Sequence, residues 1–188
     1  MKPALIVDAH SPGPSGLGRY AREMVRALAA RDDFRMIYLA GDPAELARWL
    51  SDSRGPTPLS LIPFRHVRYS ARIPFDWRRV ESGVPGPRVS WFPHWDGSWA
   101  AAPGVTTFHD LLHLHMDGLV GLAKRVYART WMARMASHSA ALITGSAHTA
   151  AQVIAEFPAA AGRITPIHHG VADVFFAAKA SETHAPYL

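Results

Sequence analysis

The sequence predicts a doubly wound α/β fold built on a mainly parallel sheet. Short apolar runs of β type alternate with amphipathic helical stretches through most of the 188 residues. Pro or Gly bounds most of those runs. Polar, chemistry-bearing residues recur just after the runs, where a parallel sheet joined by right-handed crossovers gathers its ligands.

The elements follow in order. Residues 4–9 (ALIVDA) read as a strand and 17–30 as a helix, with Leu17, Tyr20, Met24 and Leu28 on one face. Residues 35–41 (RMIYLAG) make a second strand closed by Gly41, and 43–50 a short helix with proline in its first turn. Further strands are expected at 59–64, 88–93, 105–111 and 141–146. A helix over 121–138 carries two apolar rows, Leu122/Val126 and Tyr127/Trp131/Met135. Another over 146–157 opens with Ser146 as N-cap. Residues 51–88 hold six of the fifteen prolines, with arginines interleaved among aromatics, and read as the least regular stretch. On this layout residues 8–18, 92–97, 109–115 and 145–149 share one sheet edge.

Composition excludes several classes. A hydrophobic share of 48% with 19% charged residues fits one ordinary globular domain with a full core. Cysteine is absent, which rules out disulfides and cysteine metal sites. The start, MKPALIVDAHSPG, is too short and too soon interrupted for a signal peptide, and no apolar run approaches the ~18 residues of a membrane span. A cytoplasmic protein, with the inner membrane face as a further location, is the expectation. The net charge is +5, and seventeen arginines stand against three lysines. Arginine's planar fork suits phosphate, although genome base composition explains the bias equally well. No nucleic-acid motif accompanies it.

Residues 11–28, SPGPSGLGRYAREMVRAL, hold the sharpest local signal. Gly16-Leu17-Gly18-Arg19-Tyr20-Ala21 satisfies G-x-G-x-x-A, and Asp42 follows the second strand where a ribose-binding acid sits in dinucleotide folds. Six residues separate the first strand from Gly16, which strains that fingerprint. The alternative is a glycine-eased loop entering a helix. Either way, the orphan amides and positive dipole at a helix start attract an anion, with Gly16 and Gly18 admitting it and Arg19 adding charge.

Two other clusters stand out. TTFHDLLHLH (106–115) places His109 and Asp110 at a strand end, where they meet a ligand or where Asp110 caps local backbone. As a metal site, His109, Asp110 and His113 have usable ligand types but no established spacing. His113 and His115 alternate with leucines and also read as the polar side of an extended segment. WFPHWDGSW (91–99) sets His94, Trp95 and Asp96 among tryptophans, a mix suited to sugar rings or to core aromatics at a strand end. No G-x-S-x-G elbow and no Walker A sequence is present.

Taken together, SGLGRYAREMVRALA (15–29), WFPHW (91–95), TTFHDLLHL (106–114), and ALITGSAHTAAQVIAEF (141–157) followed by RITPIHHGV (163–171) resemble the N-terminal domain of the family 4 retaining glycosyltransferases of GT-B fold, group 1 type. The resemblance implies that residues 1–172 form the Rossmann-like, acceptor-side domain. Residues 173–188 would then be a linker and the start of a C-terminal nucleotide-sugar-binding domain. The paired glutamates expected of that second domain are absent from these residues, so the fragment alone is expected to be inactive.

The resemblance further implies transfer of a sugar, with retention, from a nucleotide-sugar donor to a glycan or lipid-linked acceptor, as in polysaccharide biosynthesis. Gly16, Gly18 and Arg19 would meet the donor diphosphate. His109 and Asp110 would be catalytic, His109 bonding a hydroxyl of the donor sugar. His10, His94, Trp95, Asp96, Arg68 and Arg72 are acceptor-side candidates. No cofactor or metal is implied, and no nucleic-acid partner; peripheral membrane contact is expected of the basic-aromatic 64–79 stretch. Pro166 points to an edge or broken strand, and His169 stands where an asparagine is common. The alternatives are a stand-alone nucleotide or dinucleotide binder and a carbohydrate- or lipid-binding module.

Overall fold

The computed structural model describes residues 1–10, 13, 15–65, 72–97, 104–115 and 118–171. Strand β1 (Ala4–Asp8) is buried at all five positions because it lies mid-sheet with both faces covered. Its side chains alternate between two cores: Ala4 and Ile6 enter one, Leu5 and Val7 the other. Helix α1 (Gly16–Ala29) starts at Ser15, whose Oγ accepts the Gly18 amide at 3.2 Å. The face it buries is Gly18, Ala21, Val25 and Ala29, so the row Leu17, Tyr20, Met24 and Leu28 forms a half-buried flank instead. Small residues let the helix sit close to the sheet, while the larger ones seal its margin.

Strand β2 (Met36–Gly41) leads through the Asp42 cap into α2 (Pro43–Asp52), followed by β3 (Leu59–Pro63). Helix α3 (Ile73–Ser82) carries the chain back to β4 (Arg88–Phe92) beside β1, and β5 (Val105–Phe108) follows. Then come α4 (Gly118–His138), β6 (Ala141–Thr144), α5 (Ala147–Glu156) and the short β7 (Ile164–Pro166). All seven strands pair in parallel in the order β3-β2-β1-β4-β5-β6-β7. This is a doubly wound, Rossmann-like sheet whose winding reverses between β1 and β4.

One face packs α1 and α2 through Val25, Leu46 and Trp49 against Leu5, Val7, Leu39 and Trp91. The other packs Trp77, Met132 and Val153 of α3, α4 and α5 against Phe92, Phe108 and Leu142. Of the two rows expected on α4, Met135 is buried with Tyr127 and Trp131 half-buried beside it, whereas Leu122 and Val126 stay exposed. Arg163 ties the far end together by donating to carbonyls of Ala136, Ser139 and Ala159, which caps the C-terminus of α4.

Three expectations are corrected. Helix α3 lies inside the stretch read as irregular; Ile73, Trp77 and Val80 mark its buried side. Strand β5 ends at Phe108, because the Asp110 carboxylate accepts the Leu112 amide at 2.9 Å and turns the chain into a single 3₁₀ turn, Leu112–Leu114. His113 and His115 therefore do not line an extended segment. Pro166, as expected, lies on the edge strand β7.

Ser146 caps α5 by accepting the Thr149 amide at 3.0 Å. A Ser146→Ala variant is expected to lose about 1 kcal/mol of stability, read as a lower urea midpoint at unchanged slope.

Candidate functional site

The C-terminal edge of the sheet gathers the polar residues. His109 follows β5 directly, and its Nε2 lies 2.8 Å from the Pro93 carbonyl in the loop after β4. A carbonyl only accepts, so Nε2 bears a proton; in the neutral ring Nδ1 is then the bare, accepting nitrogen. Burial pushes the His109 pKa below the ordinary imidazole value. The Pro93 bond and Asp110 oppose that shift, while charge on His94 or His169 adds to it.

Tyr20, from the second turn of α1, meets His109 edge-on with centroids 4.8 Å apart. Its hydroxyl lies 3.5 Å from Thr107 Oγ1, which also accepts the Trp91 indole N–H at 3.2 Å. Burial raises the Tyr20 pKa, so the phenol stays protonated. The start of α1 is thereby fastened beside the ends of β4 and β5.

The first turn of α1 is open to solvent. Gly16 is exposed, and a Cβ built there meets nothing within 4 Å. The Gly16 and Leu17 amides have no acceptor among the described residues. Gly18 departs from expectation: it is buried and its amide is taken by Ser15 Oγ, so the bare donors are those of residues 16 and 17. A cleft of about 870 Å³ opens here between α1 and α2, lined by Gly16, Arg19, Arg22, Glu45, Arg48 and Trp49. Arg19 and Arg48 form no ion pair among the described residues. Arg19 lines this cleft, while Tyr20, the next residue, meets His109.

The remaining expected residues divide by burial. His94 lies 2.6 Å from the Asp96 carboxylate and stacks toward His109 at 6.3 Å. Across the reversal point, His10 forms a matching contact with Asp8 at 2.5 Å. Trp95 is 1% exposed and packs on His94, His113 and Tyr127, so it supports the edge and offers no face to a sugar. Asp110 is exposed and spends one oxygen on the Leu112 amide; it acts on His109 through its charge. Asp42, the expected ribose acid, caps α2 and pairs with Arg65 at 2.9 Å. Arg72 is an exposed residue at the start of α3, and Arg68 lies outside the described residues, as do 172–188. Among the described residues no three His, Asp or Glu side chains are grouped to hold a metal ion, so His109, Asp110 and His113 are not brought together as one.

Residues 14–174 match the family described as Glycosyltransferase Family 4. The chain belongs to that family. No curated protein matches it. The parallel sheet reversing between β1 and β4 is that of a family 4 N-terminal domain, half of a GT-B fold. Membership implies a sugar donor and an acceptor substrate in general terms. No helix among the described residues is long and apolar enough to cross a membrane. Sequence reading missed Tyr20, Thr107 and His169 as parts of this edge. Tyr20 follows the glycine motif at helical spacing and looked like packing, and no local pattern ties His169 to His109.

The direction of the His109 shift fixes a pH dependence for the family 4 domain. The unfolded imidazole titrates near pH 6.5, above the folded one. The unfolded chain therefore binds the proton first, and the stability present above that pH is lost as pH falls through the unfolded value toward the folded one. Replacing His109 by Gln is expected to flatten this loss. Urea midpoints of both proteins at about pH 7.5 and about pH 5.5 measure the difference.

Proposed function

We propose that this chain is the acceptor-side domain of a retaining glycosyltransferase that moves a sugar from a nucleotide-sugar donor to a glycan or lipid-linked acceptor. The observation that carries the reading is a neutral His109, its Nε2 committed to Pro93, at a sheet edge that also presents the open amides of Gly16 and Leu17. Negative charge grows on the departing nucleoside diphosphate as the glycosidic bond breaks. Amides 16 and 17, the positive end of α1 and Arg19 meet that charge without a metal or cofactor. His109 Nδ1 accepts a hydrogen bond from a hydroxyl of the donor sugar and so holds the ring at the reacting carbon. The acceptor hydroxyl enters from the β1/β4 side, past the His94–Asp96 and His10–Asp8 pairs, and the leaving phosphate takes its proton.

The nucleotide is completed by a second domain, and the protein works in the cytoplasm. Its acceptor is drawn from a membrane surface: α3 sets Phe75, 69% exposed, beside exposed Arg72, Arg78 and Arg79. A dinucleotide-binding reading is not favoured, because the Asp42 carboxylate is already engaged.

In the full-length protein, His109→Ala is expected to lower transfer from a nucleotide-sugar panel by roughly ten- to thousandfold, the cost of one polar transition-state contact. An unchanged rate rejects His109 as a donor-site residue. Sedimentation of the same protein with anionic vesicles reads the membrane contact; failure to co-sediment removes that part of the proposal.

A further inference from the structure

His169 follows the edge strand β7 on an irregular, exposed segment, where a side chain has no packing reason to be fixed. Its ring is nevertheless held from three directions. It stacks on His109 with centroids 5.8 Å apart and planes 14° from parallel. Tyr20 meets it edge-on at 5.1 Å. Gly145, after β6, forms the seat: a Cβ there would lie 2.7 Å from His169 Nε2. His94 also stacks toward His109, with centroids 6.3 Å and planes 21° apart. His109 thus has two near-parallel rings as neighbours, with Tyr20 meeting it edge-on and Pro93 holding its Nε2.

We propose that His169 is a positioning residue that fixes the plane of the His109 ring against His94 and Tyr20, and so presents Nδ1 of His109 to the transferred sugar. This rests on the reading of His109 as a donor-site residue and extends it to the segment after β7. The groups facing His109 are His94 from the β4 loop, His169, Tyr20 from α1 and Asp110 beside it. Only Asp110 favours a proton on the ring by its charge. A ring at His169 excludes water from one face of His109, and any charge it gains repels a second charge next to it. Both effects keep Nδ1 bare for a hydroxyl donor.

Two variants test this by different routes. His169→Asn removes the ring. Gly145→Ala keeps the imidazole but fills its seat; the atoms displaced are the end of an exposed side chain, so the ring swings out while the backbone stays. The readout is the titration of the His109 ring resonance by NMR, assigned against His109→Gln. Both variants are expected to move its midpoint upward, and in the full-length protein the acid limb of kcat/KM moves to higher pH with it. His169→Asn is also expected to lower the plateau rate, and His169→Phe, which keeps a ring against His109, to restore it. A midpoint unmoved in both variants, or an acid limb that stays while the midpoint moves, overturns the proposal. The midpoint is read without any transfer reaction, so its failure is distinct from failure of the transferase reading, which His109→Ala reports.

Discussion

The hydrogen bond from His109 Nε2 to the Pro93 carbonyl is the constraint on which the site depends. It spans 2.8 Å between the loops after two neighbouring strands, and it decides which ring nitrogen is left to act. Without it no partner singles out either ring nitrogen as the one that keeps the proton. With it, and with burial opposing the charged form, one nitrogen is bare and its direction is set. The bond exists because β4 and β5 are parallel neighbours: Trp91 pairs with Val105 and Phe92 with Thr106, which brings Pro93 and His109 out on the same edge.

The same sheet order explains why so much chemistry meets at one place. Reversal of the winding between β1 and β4 leaves a crevice there that no crossover helix covers. The Asp8–His10 and His94–Asp96 pairs stand on its two sides, with His109 one strand further on. Helix α1 begins at the same edge, and Tyr20 locks its start to Thr107 and His109. The small buried face of α1, Gly18, Ala21, Val25 and Ala29, lets this happen, since bulkier residues would push the helix away from the sheet. A motif that reads as a phosphate loop is thus also a packing device. Gly18 serves the packing, while Gly16 and Leu17 keep open amides.

Most of the fold was legible because hydrophobic period and punctuation agreed in β1, β2, β6 and α5. Ser146 announced its helix through the side chain that caps it, and Pro43 announced α2 from its first turn, whereas Asp42, read as a ribose acid, proved to be the cap of α2. Helix α3 was obscured by the prolines around it, although Pro74 sits where a helix tolerates it. The face of α1 was assigned one position off because large side chains were taken as the buried ones. His109 and the glycine turn were legible from chemistry next to strand ends. The role of Trp95 was not, since sequence shows an aromatic ring but not its 1% exposure. His169 was unreadable for a deeper reason: its contact with His109 crosses sixty residues and is made by a slot at Gly145, which exists only once β5, β6 and β7 are aligned.

The most direct test of this account is the nitrogen spectrum of the His109 ring at neutral pH, which reports the proton on each nitrogen separately. A proton on Nε2 with Nδ1 bare is the result required. A ring protonated on Nδ1, or on both nitrogens, contradicts it: the first form turns its bare nitrogen toward the Pro93 carbonyl, and the second has no bare nitrogen for the proposed sugar hydroxyl.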